Sequence, residues 1–136
     1  MGMDVILNQR IDIPAVYHPD DIHVSIVSDK FEVPKFDTSK ICSMSIRLGT
    51  FRGYELAEFL NRHTGDIWSN GNDWFFCQYD AEILLNSIDD VLTGKGDLPK
   101  DVDAAEEFLR EILKFKAILE KALTNGADCF EILLSY

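Results

Sequence analysis

Residues 101–136 read DVDAAEEFLREILKFKAILEKALTNGADCFEILLSY, and the spacing of their apolar side chains changes once. Up to Thr124, Ala105, Phe108, Leu109, Ile112, Leu119, Ala122 and Leu123 recur at three- and four-residue intervals, the stripe of an amphipathic helix. Glu106, Glu107, Arg110, Lys114 and Lys121 suit its opposite face. Acidic residues crowd the first turns and lysines the later ones, as the helix dipole favours. Asn125-Gly126 stops the helix. The tail, residues 129–136, is too short and too apolar for a surface helix and reads as a strand returning into a sheet. A long helix running into a strand predicts an α+β domain.

The rest of the chain extends this pattern. Residues 42–48 alternate Cys42, Met44, Ile46 and Leu48 with Ser43, Ser45 and Arg47, a strand whose apolar side is expected to face the core. Gly49-Thr50 is expected to end that strand, with Thr50 capping a helix over 51–63 that carries Leu56, Phe59, Leu60 and His63. Gly65 stands where a left-handed residue would close the helix. Trp68 and Ser69-Asn70-Gly71-Asn72 form turn chemistry. A second helix is predicted over 80–92 from Ile83, Leu84, Ile88, Val91 and Leu92, closed by Gly94, and residues 94–99 form a loop. Residues 22–28 alternate as a further strand, whereas residues 1–20, broken by Pro14 and Pro19, suggest an extended arm or short edge strand. The expected architecture is one α+β domain over 1–136, a small antiparallel or mixed sheet of three to four strands packed against about three helices.

Composition narrows the function classes. With 136 residues, 46% of them hydrophobic, the chain is long enough to bury a core without disulfides. Its net charge is −11, from 24 Asp and Glu against 13 Lys and Arg, which opposes direct contact with nucleic acid or an anionic membrane. Cys42, Cys77 and Cys129 are far apart in sequence and show no metal-ligand spacing, so a reducing, cytoplasmic setting is expected. No apolar run is long enough to span a bilayer, and residues 1–10 lack the order of a secretory signal.

Catalytic and metal motifs are sparse. His18 and His23 lack a third ligand, and Gly94-Lys95-Gly96 follows a helix and lacks the ending of a phosphate-binding loop. Asp101-Val102-Asp103 fails as a calcium loop because position five is Ala105 and position six is no glycine. No serine lies in a nucleophile-elbow setting. Glu55 and Glu58 share one helix face and read as solvated carboxylates, and His63 reads as a favourable charge at a helix C-terminus. No catalytic residue, metal or cofactor is expected.

One segment stands out. Residues 73–111 hold eleven acids against three bases, which accounts for −8 of the chain's −11. Asp89, Asp90, Asp97, Asp101, Asp103, Glu106 and Glu107 fall at or between two helix ends, where they would present a negative field to a basic protein partner. Helix-start preference alone accounts for Asp101, Asp103 and Glu106. Trp68 is the expected exposed aromatic anchor beside this surface, and Phe75 and Phe76 are expected in the core.

From Ser43 to Leu134, the order of strand, Gly49-Thr50-Phe51 turn, helix, Trp-containing loop, Leu84-Leu85 helix, Gly94-x-Gly-x-Leu98 loop, amphipathic helix and strand resembles small immunity proteins of bacterial polymorphic toxin systems. The resemblance implies a non-enzymatic acidic inhibitor that binds and blocks a toxin domain. Acidity would equally serve a phage or mobile-element protein that mimics nucleic acid to inhibit a defence enzyme. A small enzyme with a site assembled only in three dimensions is the third reading.

Overall fold

A computed structural model describes residues 2–14 and 41–135, with the side chains of residues 2–11 and 44–135. Its elements run β1 (Asp4–Pro14), β2 (Ile41–Arg52), α1 (Tyr54–Arg62), β3 (Asp73–Cys77), α2 (Gln78–Leu92), α3 (Val102–Thr124) and β4 (Cys129–Ser135). The strands form one four-stranded antiparallel sheet in the order β2-β1-β4-β3, packed against the three helices, so the fold is α+β. The chain groups into two compact units, Met1–Gln9 with Ile46–Tyr136, and Arg10–Ser45. In the second unit, the described residues are the end of β1 and the start of β2. The strand expected over 22–28, His18 and His23 lie outside the described residues.

Central strand β4 organises the first unit. Phe130, Ile132 and Leu134 are buried on one face, opposite Leu7 and Val5 of β1 and Phe76 of β3. From the helices, Leu56, Phe59 and Leu60 of α1, Leu84 and Ile88 of α2, and Phe108, Ile112, Phe115 and Leu119 of α3 join the same cluster. Three- and four-residue spacing turns these helix positions inward, whereas two-residue spacing does so in the strands. The Phe51 and Phe115 rings meet edge-on at 5.2 Å, and those of Phe59 and Phe108 lie 5.7 Å apart, pinning α3 to both β2 and α1.

The long helix behaves as its sequence indicates. Asp101 caps α3 through its carboxylate, which accepts from the Asp103 backbone N–H at 2.8 Å, and Asn125 ends it. Glu111 and Phe115 are also buried on α3, and the Glu111 carboxylate accepts from the Arg52 backbone N–H at 3.4 Å and pairs with Lys114. Gly94, expected to close α2, takes φ 83° there, a left-handed conformation that glycine adopts readily.

Several expectations are corrected. β1 is an eleven-residue strand between β2 and β4 rather than an edge, because Val5 and Leu7 supply fully buried core positions. Residues 73–77, left without a strand by the sequence, form β3. β2 passes through Gly49-Thr50 to Arg52, since burial of Phe51 holds the extended backbone, and Gly53 rather than Thr50 is the α1 N-cap. Gly53 has φ 124°, its N–H donates to Met3 O at 2.9 Å, and a Cβ there would lie 2.8 Å from Glu107 Oε1. After α1 the left-handed residue is Asp66, not Gly65, steadied by the Ser69 hydroxyl donating to its carboxylate at 2.6 Å.

Exposure also differs from expectation at several apolar positions. Met44 and Ile46 do not enter the core but are 50% and 41% exposed, and Ser45 and Arg47 are exposed beside them. Alternation marks two chemically distinct faces without stating that either is covered. Ile83 of α2 is likewise exposed.

Phe115→Ala should therefore destabilise the fold by about 3–5 kcal/mol, the range for deleting a buried aromatic ring. Met44→Asp should change stability by no more than about 0.5 kcal/mol, as a surface substitution does. Urea denaturation of the two variants checks both, and a large loss for Met44→Asp would place that side chain in the core after all.

Candidate functional site

Three adjoining clefts lie where α1, the α2–α3 connection and the start of α3 meet. The first, about 400 Å³, is lined by residues including Arg62, His63, Ser87, Asp90, Lys95 and Asp97. The second, about 200 Å³, shares Arg62 and Asp97 and adds Glu55, Glu58, Lys100 and Phe108. The third joins Arg52, Gly53 and Tyr54 to Ala104, Glu107 and Phe108.

Local folding explains this arrangement. The Lys95 and Gly96 backbone N–H groups both donate to Asp90 O, at 2.8 and 3.2 Å, so the connection turns back over the end of α2. A Cβ on Gly96 would come within 2.7 Å of Val91 Cγ2, a close approach that favours glycine there. The connection thereby carries Asp97 to both Asp90 and the acidic face of α1.

The seven acidic candidates fall into two groups. Asp90, Asp97, Asp103 and Glu106 are exposed; Asp101 is exposed too, but its carboxylate caps α3. Asp89 and Glu107 have structural partners: Asp89 bonds Lys116 of α3 at 2.7 Å, and Glu107 places its carboxylate against Gly53 at the positive end of α1. The hydrogen bond from Lys116 to Asp89 is the main cause of the raised Lys116 pKa. Glu55 and Glu58, read from sequence as solvated carboxylates on one helix face, border the same cleft as Asp97. Only the return of the α2–α3 connection onto α1 reveals that neighbourhood.

Trp68 is not the freely exposed anchor expected. It is half-buried and stacks on Tyr54 at 5.9 Å, and its backbone N–H donates to Asn61 Oδ1 at 3.0 Å. Phe76 is buried as expected, stacked between Trp74 and Phe130, whereas Phe75 is 52% exposed on the other side of β3.

His63 is the α1 C-cap, with its ring 4.4 Å from Phe59. Burial, followed by the nearby Arg62 charge, lowers its pKa below 6.5, so the neutral form prevails at pH 7 and the expected helix-end charge is largely absent. His63, Ser87 and Asp90 line one cleft, but no hydrogen bond joins them. The Ser87 hydroxyl instead donates to Ile83 O at 3.3 Å, so the nucleophile–base contact of a triad is not made. Among the described residues, no three His, Cys, Asp or Glu side chains gather as a metal would require. Nor is any helix among them long and apolar enough to cross a membrane.

No protein-family model, curated protein or solved structure matches the chain.

Because the His63 pKa is lower in the folded state than its unfolded value near 6.5, its contribution to stability is present above that value. It declines as pH falls through 6.5 towards the folded-state pKa. His63→Asn should flatten this part of the pH dependence. Melting temperatures measured between about pH 8 and about pH 5 check it, and an unchanged slope would remove His63 as its source.

Proposed function

We propose that this chain is a non-enzymatic acidic binding protein that neutralises a basic protein partner, such as a toxin domain, in the manner of an immunity protein. The observation carrying this reading is the convergence of carboxylates from separate elements. Asp97 of the α2–α3 connection lines one cleft with Asp90 of α2 and a second with Glu55 and Glu58 of α1, while Asp101, Asp103 and Glu106 lie exposed at the start of α3. Arg62, Lys95 and Lys100 lie among them and reduce the negative field without cancelling it. Such a surface accelerates encounter with a basic partner and disfavours acidic ones.

Mixed charge also bears on the alternatives. A nucleic-acid mimic would present regularly spaced carboxylates, whereas Arg62, Lys95 and Lys100 interrupt these. A hydrolase of the triad type would join His63 and Ser87, which here hydrogen-bond elsewhere or pack against Phe59. The first observation weighs against the mimic and the second against a triad hydrolase built on these two residues.

Co-expression with a toxin domain encoded beside this gene should protect the cell if the reading holds. For that pair, Asp90→Asn, Asp97→Ser and Glu106→Gln together should leave the fold intact, since these side chains are exposed and the α3 cap Asp101 is retained. Association should slow on the order of tenfold at low salt, with a weaker dependence on ionic strength. Stopped-flow mixing measures both, and an unchanged rate and salt slope in the folded variant would reduce the acidity to a solubilising feature.

A further inference from the structure

We propose that Cys77 and Cys129 form a redox pair, two thiols opposed across β3 and β4 that a low-molecular-weight disulfide converts into a cross-strand disulfide. The two cysteines are far apart in sequence but direct register partners in the sheet. Their pairing is of the kind that brings side chains together. Leu134 N–H donates to Asn72 O at 2.9 Å and Gln78 N–H to Asp128 O at 3.0 Å, which places the hydrogen-bonded pairs of this ladder at even-numbered positions of β3. Cys77 therefore occupies a non-hydrogen-bonded site. Consistently, its own N–H turns to Asp80 Oδ2 at 3.5 Å instead of to β4.

At such a site the two Cα atoms stand about 4.5 Å apart and the side chains leave the same face of the sheet. Disulfides span Cα separations of about 4.4–6.8 Å, so closure demands little backbone movement. Neither cysteine is in a disulfide; Cys77 is exposed, its thiol donating to Asp80 Oδ2 at 3.4 Å, and Cys129 is half-buried, which assigns them different parts in the exchange. Cys77 loses its proton to solvent, attacks one sulfur of the small disulfide and expels one thiolate. Cys129, deprotonated in the same way, attacks the Cys77 sulfur and expels the second. Two protein thiols are oxidised to one disulfide by two electrons, and the small disulfide is reduced to two thiols that take up the two protons.

The bond would tie the edge strand β3 and the start of α2 to the central strand β4. It would also close a covalent loop containing α2 and α3, so the oxidised protein should resist unfolding more than the reduced one.

Oxidised glutathione is a suitable probe, used on the full chain in wild-type and Cys42→Ser backgrounds. Alkylation and peptide mass spectrometry should find Cys77 joined to Cys129 with Cys42 still free, and the melting temperature should rise on the order of 5–10 °C over the reduced form. Cys129→Ser should trap a lasting glutathione adduct on Cys77, because no second thiol resolves it, and Cys77→Ser should leave Cys129 reduced. The proposal fails if both thiols remain alkylatable after oxidation. It fails equally if wild type keeps a glutathione adduct on Cys77, or if either thiol joins Cys42.

Discussion

The seating of α3 across the sheet is the constraint on which the first unit depends. Its buried stripe, from Phe108 through Ile112 and Phe115 to Leu119, belongs to the same core cluster as the apolar face of β4. Phe115 reaches Phe51 of β2 and Phe108 reaches Phe59 of α1. With α3 in place, Phe51 has a buried partner and β2 must stay extended through Arg52. Gly53 then becomes the only position left to start α1. Fully extended chain, an abrupt turn and a helix start are compressed into three residues there, which accounts for a glycine at φ 124° beside the Glu107 carboxylate.

The same helix links stability to the candidate surface. Glu111 accepts from the Arg52 backbone N–H, Glu107 lies at the start of α1, and Lys116 holds Asp89 of α2. These charges join the helices and β2, and Asp101 caps α3, while Asp90, Asp97, Asp103 and Glu106 remain in solvent. Acidity in this chain thus has two physical roles. Carboxylates facing a helix start or a lysine serve the fold, and the others set the field that an approaching partner meets.

The second face of the sheet is chemically unlike the first. Asn8 and Glu131 are register partners there, joined by a 3.1 Å hydrogen bond and buried, with Phe75 opposite Glu131 on the far side and the cysteine pair at the end of the β3–β4 ladder. A polar pair buried on a strand face specifies register, because a one-residue slip would part the donor from its acceptor and turn core residues outward. β4 is consequently fixed on both faces, by apolar packing on one and by this pair on the other.

Sequence alone determined the features that follow from local periodicity. The span of α3 and its Asp101 cap, the inward face of α1, the Gly94 stop and the β4 strand were all legible, because 3.6- and 2-residue repeats and capping chemistry are properties of neighbouring residues. What those repeats pack against is not a local property, and tertiary structure decided it. Val5 and Leu7 became interior positions because β4 lies beside them, and Phe51 stayed in a strand because Phe115 meets it. Met44 and Ile46 remained exposed although they alternate perfectly. Asp97 joined Glu55 and Glu58, and Cys77 met Cys129, only through chain reversals that bring distant residues together. Patterning states which side of an element is apolar; contact across the fold determines whether that side is covered, and by what.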